Sequence, residues 1–300
     1  MSRISLLENG QTSLQVISQK QIKTQRIYVP PSQRPGGLAV WREMVGEIIS
    51  SRELAWRFYI RDFSVRYRQS VLGYLWAIIP LILSTATFAW LNRANILPVR
   101  STGLPYPLFV LLNTAVWQLF ASGFSSGTQS LASAGSLITK INFPRETLVI
   151  AAFGQSIFEF LLRAVLVLIA FVLFRTTPHW TIIFVPICLM PLCLLTLGLG
   201  FIFSMVNGIV RDAGQVITLL LSIWMFLTPV IYPPPASGLT LRACLLNPIS
   251  AYIVAAQDLV IRGYLTQPAG LGAACLISLA LFLFGWRLFH FTEARIAERV

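Results

Sequence analysis

With 300 residues the chain is long enough for two soluble domains, yet 56% of it is hydrophobic, 11% is charged and the mean hydropathy is +0.72. Apolar stretches recur along nearly the whole length, which excludes a soluble catalytic core and marks an integral membrane protein. The formal charge of +12 does not indicate nucleic acid, because the basic residues gather before the first apolar run and in short loops, where they meet lipid headgroups or cytoplasmic water.

Residues 1–37 are polar, contain Pro30, Pro31 and Pro35, and hold no apolar stretch of the kind a signal peptide needs, so they read as a cytoplasmic extension. Residues 38–70 form interface helices. Trp41, Met44, Val45 and Ile48 recur at spacings of three and four with Arg42, Glu43 and Glu47 between them, an amphipathic pattern suited to a membrane surface. Ser50-Ser51-Arg52-Glu53 resembles a capping box and predicts a second helix carrying Trp56, Phe58, Tyr59 and Phe63. Arg61, Arg66, Tyr67 and Arg68 close this stretch. Arginine matches phosphate oxygens in a headgroup layer, so these four are candidates for the entrance of a phosphate-bearing lipid; a plain surface anchor is the alternative.

A bilayer core of about 30 Å takes roughly 20 apolar helical residues. Six segments meet that length: Val71 to Leu91, Leu104 to Phe124, Leu148 to Phe174, Thr181 to Met205, Val216 to Tyr232 and Ala269 to Leu288. The membrane domain is thus expected over residues 71–290, with a cytoplasmic tail over 291–300. Between the fifth and sixth spans, Pro233 to Pro268 is broken by Pro233-Pro234-Pro235 and Asn247-Pro248, which predicts short helices lying at or dipping into one membrane face. Lysine and arginine counts orient the chain. With both termini cytoplasmic, 17 basic residues lie inside and five (Arg93, Arg100, Arg175, Arg242 and Arg262) outside, with Arg163 within a span.

The loop after the second span carries Lys140, Arg145 and Glu146 around Phe143-Pro144. Pro144 holds Phe143 out of helical backbone space, so the loop would present one aromatic and three charges to a partner, or else form an ordinary charged turn. In the third span Glu159 and Arg163 stand one helical turn apart and can pair; intramembrane charges are costly, and a self-neutralising pair reads first as structural. Gly123 and Gly127 have the GxxxG spacing that lets helices approach, and Gly198 and Gly200 lie in the fourth span.

The aromatic residues of the first and fifth spans are Tyr74, Trp76, Phe88 and Trp90, then Trp224, Phe226 and Tyr232. Their faces suit the C–H side of sugar rings, while interfacial belts and lipid contact explain aromatics equally well. Cys188, Cys193, Cys244 and Cys275 show no CxxC spacing. His179 and His290 are expected on separate loops, so no metal site or histidine base network is expected. A P-loop needs glycine directly before lysine, and the only lysines, Lys20, Lys23 and Lys140, follow Gln19, Ile22 and Thr139. ATP and Mg, if used, belong to another polypeptide.

RDFSVRYRQSVLGYLWAIIP (61–80) resembles the start of the first span in bacterial polysaccharide-exporting ABC transporter permeases of the ABC-2 type. ITKINFPRETLVIAA (138–152) is similar to that family's cytoplasmic FPRE-type segment, and LLNPISAYIVAAQDLVIRG (245–263) to the segment before its last span. The resemblance implies an all-α, six-span membrane permease, not an enzyme. It would work as a homodimer with two copies of a separate ATPase and export polyprenyl-diphosphate-linked polysaccharide across a bacterial inner membrane. O-antigen leads among its cargoes, with capsule or teichoic acid as variants. On this likeness Lys140, Phe143, Pro144, Arg145 and Glu146 dock the ATPase, Arg61, Arg66, Tyr67 and Arg68 receive the diphosphate, Pro233 to Pro268 forms outer gate helices, and the first and fifth spans border the conduit. A membrane enzyme acting on polyprenyl-linked sugars would need clustered acidic residues, and an ion-driven flippase intramembrane carboxylates; Glu159 stands alone in the spans.

Overall fold

A computed structural model describes residues 38–68, 73–96, 99, 102–135, 143–210, 212–234 and 238–296. The chain divides into two compact units, Met1–Glu43 and Met44–Val300, and the membrane-length helices found among the described residues lie in the second. Among the described residues the regular structure is helical throughout: α1 Leu38–Ser50, α2 Arg52–Arg68, α3 Ile79–Arg93, α4 Tyr106–Ser133, α5 Glu146–Leu173, α6 Val185–Ile209, α7 Ala213–Leu227, α8 Gly238–Leu246, α9 Pro248–Ile261 and α10 Pro268–Ile296. Short 3-10 turns at Gly73–Ala77 and Trp180–Phe184 lead into α3 and α6.

Five of these stretches are long and apolar enough to cross a membrane: Leu75–Arg93, Tyr106–Ser133, Glu146–Leu173, Trp180–Ile209 and Pro268–Thr292. They correspond to the first, second, third, fourth and sixth expected spans. The helix at the expected fifth span, α7, has only 15 residues and stops at Leu227 rather than continuing to Tyr232. Its stop has a local cause, because Pro229 disfavours helical backbone at Thr228, which is extended. α10 continues to Ile296, well into the stretch expected as a tail, and places His290 within a helix rather than on a loop.

α4 is the centre of the bundle. It packs against α3, α5, α6, α7 and α9, and its apolar side chains are buried on nearly every face. A helix surrounded this way needs small residues where backbones approach. A Cβ on Gly123 would lie 2.7 Å from Thr196 Cγ2, and one on Gly127 would lie 3.2 Å from Gly200 Cα. The GxxxG pair therefore seats α4 against α6. The α6–α10 crossing is tighter still, with Gly198 facing Leu281 and Phe282, and Gly285 facing the carbonyl of Gly198.

The non-helical stretch after α7 lies inside the bundle, where its carbonyls have no water to bind. Side chains from distant helices replace that water. Asn113 Nδ2 donates to Val230 O at 3.0 Å, Gln257 Nε2 to Pro229 O at 3.3 Å and the Tyr106 hydroxyl to Ile231 O at 2.9 Å. Asn247 Nδ2 donates to Thr228 Oγ1 at 2.9 Å while its Oδ1 accepts from the Ile249 N–H at the start of α9. Asn113→Leu is expected to lower stability by about 1–3 kcal/mol, the cost of leaving the buried Val230 carbonyl unpaired. Thermal unfolding in detergent, followed by tryptophan fluorescence, checks this; a wild-type midpoint would show that the bond contributes nothing.

Candidate functional site

Of the functional residues expected from the sequence, Arg61 on α2 and Phe143 to Glu146 at the start of α5 lie where α2 packs against α5. α2 and α5 advance together: a Cβ on Gly154 would sit 3.2 Å from the Tyr59 ring, and Phe63 meets Phe158 edge-on with centroids 4.9 Å apart. Glycine at 154 is what lets Tyr59 lie this close. Trp56 stacks on Tyr59 at 5.2 Å and Tyr59 is 5.8 Å from Phe63, so one face of α2 is an aromatic ladder against α5.

Of the four residues expected at a phosphate entrance, Arg61 is committed locally. Its Nε donates to Asp62 Oδ1 at 2.7 Å and its guanidinium sits 5.1 Å from the Phe58 ring centroid. Arg66, Tyr67 and Arg68 form the last turn of α2, and their side chains lie outside the described residues.

The segment before α5 turns inward. Phe143 is buried, with its ring 5.1 Å from Phe58 of α2, where the loop was expected to present it to a partner. Glu146 is fully buried as well. It opens α5, where the helix dipole favours a carboxylate, and its Oε1 lies 3.1 Å from His290 Nδ1 of α10. Glu47 of α1 brings Oε2 to 4.0 Å from the same nitrogen. Thr147 donates its hydroxyl to Pro144 O at 2.6 Å, closing the turn. Pro144 is buried, Arg145 is half-buried, and Lys140 lies outside the described residues. The structure thus joins Phe143 to α2 and Glu146 to α10. Sequence reading missed His290, and a single histidine near the end of an apolar run carries no signal of a partner 144 residues away.

Glu159 and Arg163 form a buried pair, Arg163 Nη2 to Glu159 Oε2 at 2.9 Å, and Arg163 Nε donates to Ala77 O at 3.2 Å. The pair also ties α5 to the 3-10 turn that begins the first span. That second bond reaches a backbone carbonyl 86 residues away, which no spacing rule reveals.

The aromatic candidates separate into two groups. Phe88, Trp224 and Tyr232 pack against the main core, with Trp224 edge-on to Phe120 at 5.5 Å and the Tyr232 hydroxyl donating to Phe226 O at 2.9 Å. Trp76, Trp90 and Phe226 are exposed on the isolated chain, and the side chain of Tyr74 lies outside the described residues. The four cysteines are free thiols, burial pushes Cys244 above its ordinary pKa, and no group of three metal-binding side chains occurs among the described residues.

A helical bundle with five membrane-length members, which buries the non-helical stretch after α7, defines an α-helical integral membrane protein. The ABC-2 type transporter family profile matches residues 53–260, and the chain belongs to that family. It is 25% identical over 264 residues to the O-antigen export system permease protein RfbA of Myxococcus xanthus, covering 86% of this chain and 99% of that protein. A Klebsiella pneumoniae O-antigen export system permease protein RfbA is 24% identical over 245 residues, 79% of this chain and 91% of that one. The polysialic acid transport protein KpsM of Escherichia coli is 20% identical over 241 residues, 78% and 92% respectively.

Proposed function

We propose that this chain is the membrane permease of an ATP-driven exporter that moves polyprenyl-diphosphate-linked polysaccharide, O-antigen foremost, out of the bacterial cytoplasm. The observation that carries the reading is the near end-to-end similarity to O-antigen export permeases, which extends over 99% of the Myxococcus protein. The working unit is a homodimer with two ATPase subunits in the inner membrane, both termini cytoplasmic. Residues 1–37 form an extension, 38–70 the interface helices and 71–290 the transport domain. ATP and Mg bind the partner.

α7 supplies the sixth crossing. Its 15 residues rise about 22 Å, and the non-helical turn from Thr228 to Tyr232 carries the chain on towards the far side of a core of about 30 Å. The side-chain bonds from Asn113, Gln257 and Tyr106 are what such a crossing requires. α8 and α9 then act as gate helices on the outer side.

The turn from Lys140 to Glu146 receives the ATPase stroke. Because Phe143 and Glu146 are anchored on α2 and α10, a displacement there would move the interface helices and the last span together. Arg66 and Arg68 receive the diphosphate at the cytoplasmic end of the first span, and exposed Trp76 and Trp90 and the aromatics of α7 are the candidates for the sugar path.

Purification with the P-loop ATPase encoded beside this gene, with hydrolysis measured with and without lipid-linked oligosaccharide, tests the reading. A 2:2 complex with substrate-responsive hydrolysis is expected; failure of every such ATPase to bind would refute it. Arg66→Ala combined with Arg68→Ala is expected to leave the protein in the membrane and lower export at least tenfold. Unchanged export would remove the phosphate role from these arginines.

A further inference from the structure

His290 belongs to a stiff pair of helices. The neighbouring Phe289 ring lies 5.3 Å from Phe201 of α6, and the Thr292 hydroxyl lies 2.6 Å from Met205 Sδ on the same helix. Behind them is the α6–α10 crossing, where a Cβ on Gly285 would come within 2.4 Å of Gly198 O. His290 therefore moves only as α6 and α10 move.

Two carboxylates from two other elements converge on it. Glu146 Oε1, at the start of α5, lies 3.1 Å from Nδ1, and Glu47 Oε2, on α1 one turn after the buried Met44, lies 4.0 Å from the same nitrogen. Ionised carboxylates only accept, so Nδ1 is the donor, and its one N–H serves one of them well at a time. The bond goes to Glu146, and a shift of about 1 Å would bring Glu47 within range instead.

The two acceptors are not equivalent. Glu146 is sealed from solvent, and its Oε2 has no hydrogen-bond partner among the described residues, whereas the Glu47 side chain keeps 28% of its surface exposed. Losing His290 while still buried would strip Glu146 of a bond that a carboxylate in the interior needs. The bond can pass to Glu47 only when the Pro144–Thr147 turn draws away far enough for Glu146 to reach water. Intermediate positions satisfy neither carboxylate, so the exchange has two positions and no stable midpoint.

We propose that His290 is a two-position latch, bonded to Glu146 while the turn before α5 is docked on Phe58 of α2, and to Glu47 once that turn has been displaced. The inference rests on the reading that this turn takes up the ATPase stroke. It adds the point at which the pull of Glu146 on α10 is released, with α10 then held to α1.

The chain has only two histidines, so His290 can be followed by nitrogen-15 NMR of histidine-labelled permease in nanodiscs, without ATPase, the two signals being assigned with His179→Gln. In the resting protein the His290 Nδ1 signal is expected to shift on Glu146→Gln and to stay unchanged on Glu47→Gln. Phe143→Ala undocks the turn, and Phe58→Leu does so from the other side if the first variant fails to fold. Either background is expected to reverse the pattern, with the signal now following Glu47→Gln. The complex with ATPase and a non-hydrolysable ATP analogue should show the same reversal, and Glu47→Gln should lower export about tenfold by weakening the released position, as expected for a hydrogen bond to a charged group. An Nδ1 signal that follows Glu146→Gln in every background, or that ignores both glutamates, would overturn the proposal, as would a reversal missing from the ATP-bound complex. The measurements on the permease alone need no ATPase, so a failed transport reading and a failed latch are separately visible.

Discussion

Replacing Arg163 by methionine is expected to destabilise the folded permease by about 3–5 kcal/mol, because it takes away one member of a buried ion pair. The pair is almost sealed from solvent, with side-chain exposures of 7% for Arg163 and 10% for Glu159. The substitution also removes the donor to Ala77 O, freeing the turn that starts the first span. Arg163→Met combined with Glu159→Leu should recover most of the loss, since an apolar pair of similar volume avoids the desolvation cost altogether. Unfolding in mixed detergent micelles, monitored by tryptophan fluorescence, measures all three proteins. If the double variant is as unstable as the single, the bond to Ala77 and not the ion pair carries the stability. If neither changes, the pair is a bystander.

Alanine at Gly285 or Gly198 is expected to disrupt the α6–α10 crossing and sharply reduce the amount of folded protein recovered from the membrane. A Cβ on Gly198 would come within 2.7 Å of Leu281 O and of Phe282 Cα, and one on Gly285 would press on Gly198 O. These neighbours are backbone atoms, so no rotamer change relieves them and the helices must separate. Overpacking of this kind costs about 1–3 kcal/mol. The internal control is Gly272→Ala on the same helix, where nothing lies within 4 Å; there the change should be neutral or slightly stabilising, since alanine is favoured in helices by up to about 1 kcal/mol. Equal yields for Gly285→Ala and Gly272→Ala would show that the crossing is looser than described.

Much of the architecture was legible in the sequence because burial in a bilayer is written residue by residue. Length and apolarity located five membrane-length helices to within a few residues at most ends, and proline broke the segment between α7 and α10 where expected. The shortness of α7 was harder to read. Val216 to Tyr232 is predominantly apolar, and hydropathy cannot distinguish a helix from a non-helical turn whose carbonyls other helices satisfy. Pro229 is the one local signal of the stop, while the satisfaction of the carbonyls that follow depends on Asn113, Gln257 and Tyr106, none of them near α7 in sequence.

The loop at Phe143 and Glu146 shows the same limit at the candidate site. Read alone, an aromatic and charges beside a proline point outward, as polar loops generally do. In the fold, Phe58 and His290 occupy the positions that draw both side chains inward. The glycines divide in the same manner. Spacing marked Gly123 and Gly127, but nothing in the sequence distinguishes Gly285, whose importance is set by Gly198 on another helix.

The sequence by itself determined the class and the approximate spans, because both follow from the transfer of single side chains between water and lipid. Only the tertiary structure decided how the carbonyls after α7 are satisfied, which charges are buried in pairs and which way the turn before α5 faces. Those outcomes depend on hydrogen bonds and close backbone approaches between segments about 80 to 140 residues apart, whose energies exist only once the helices have packed.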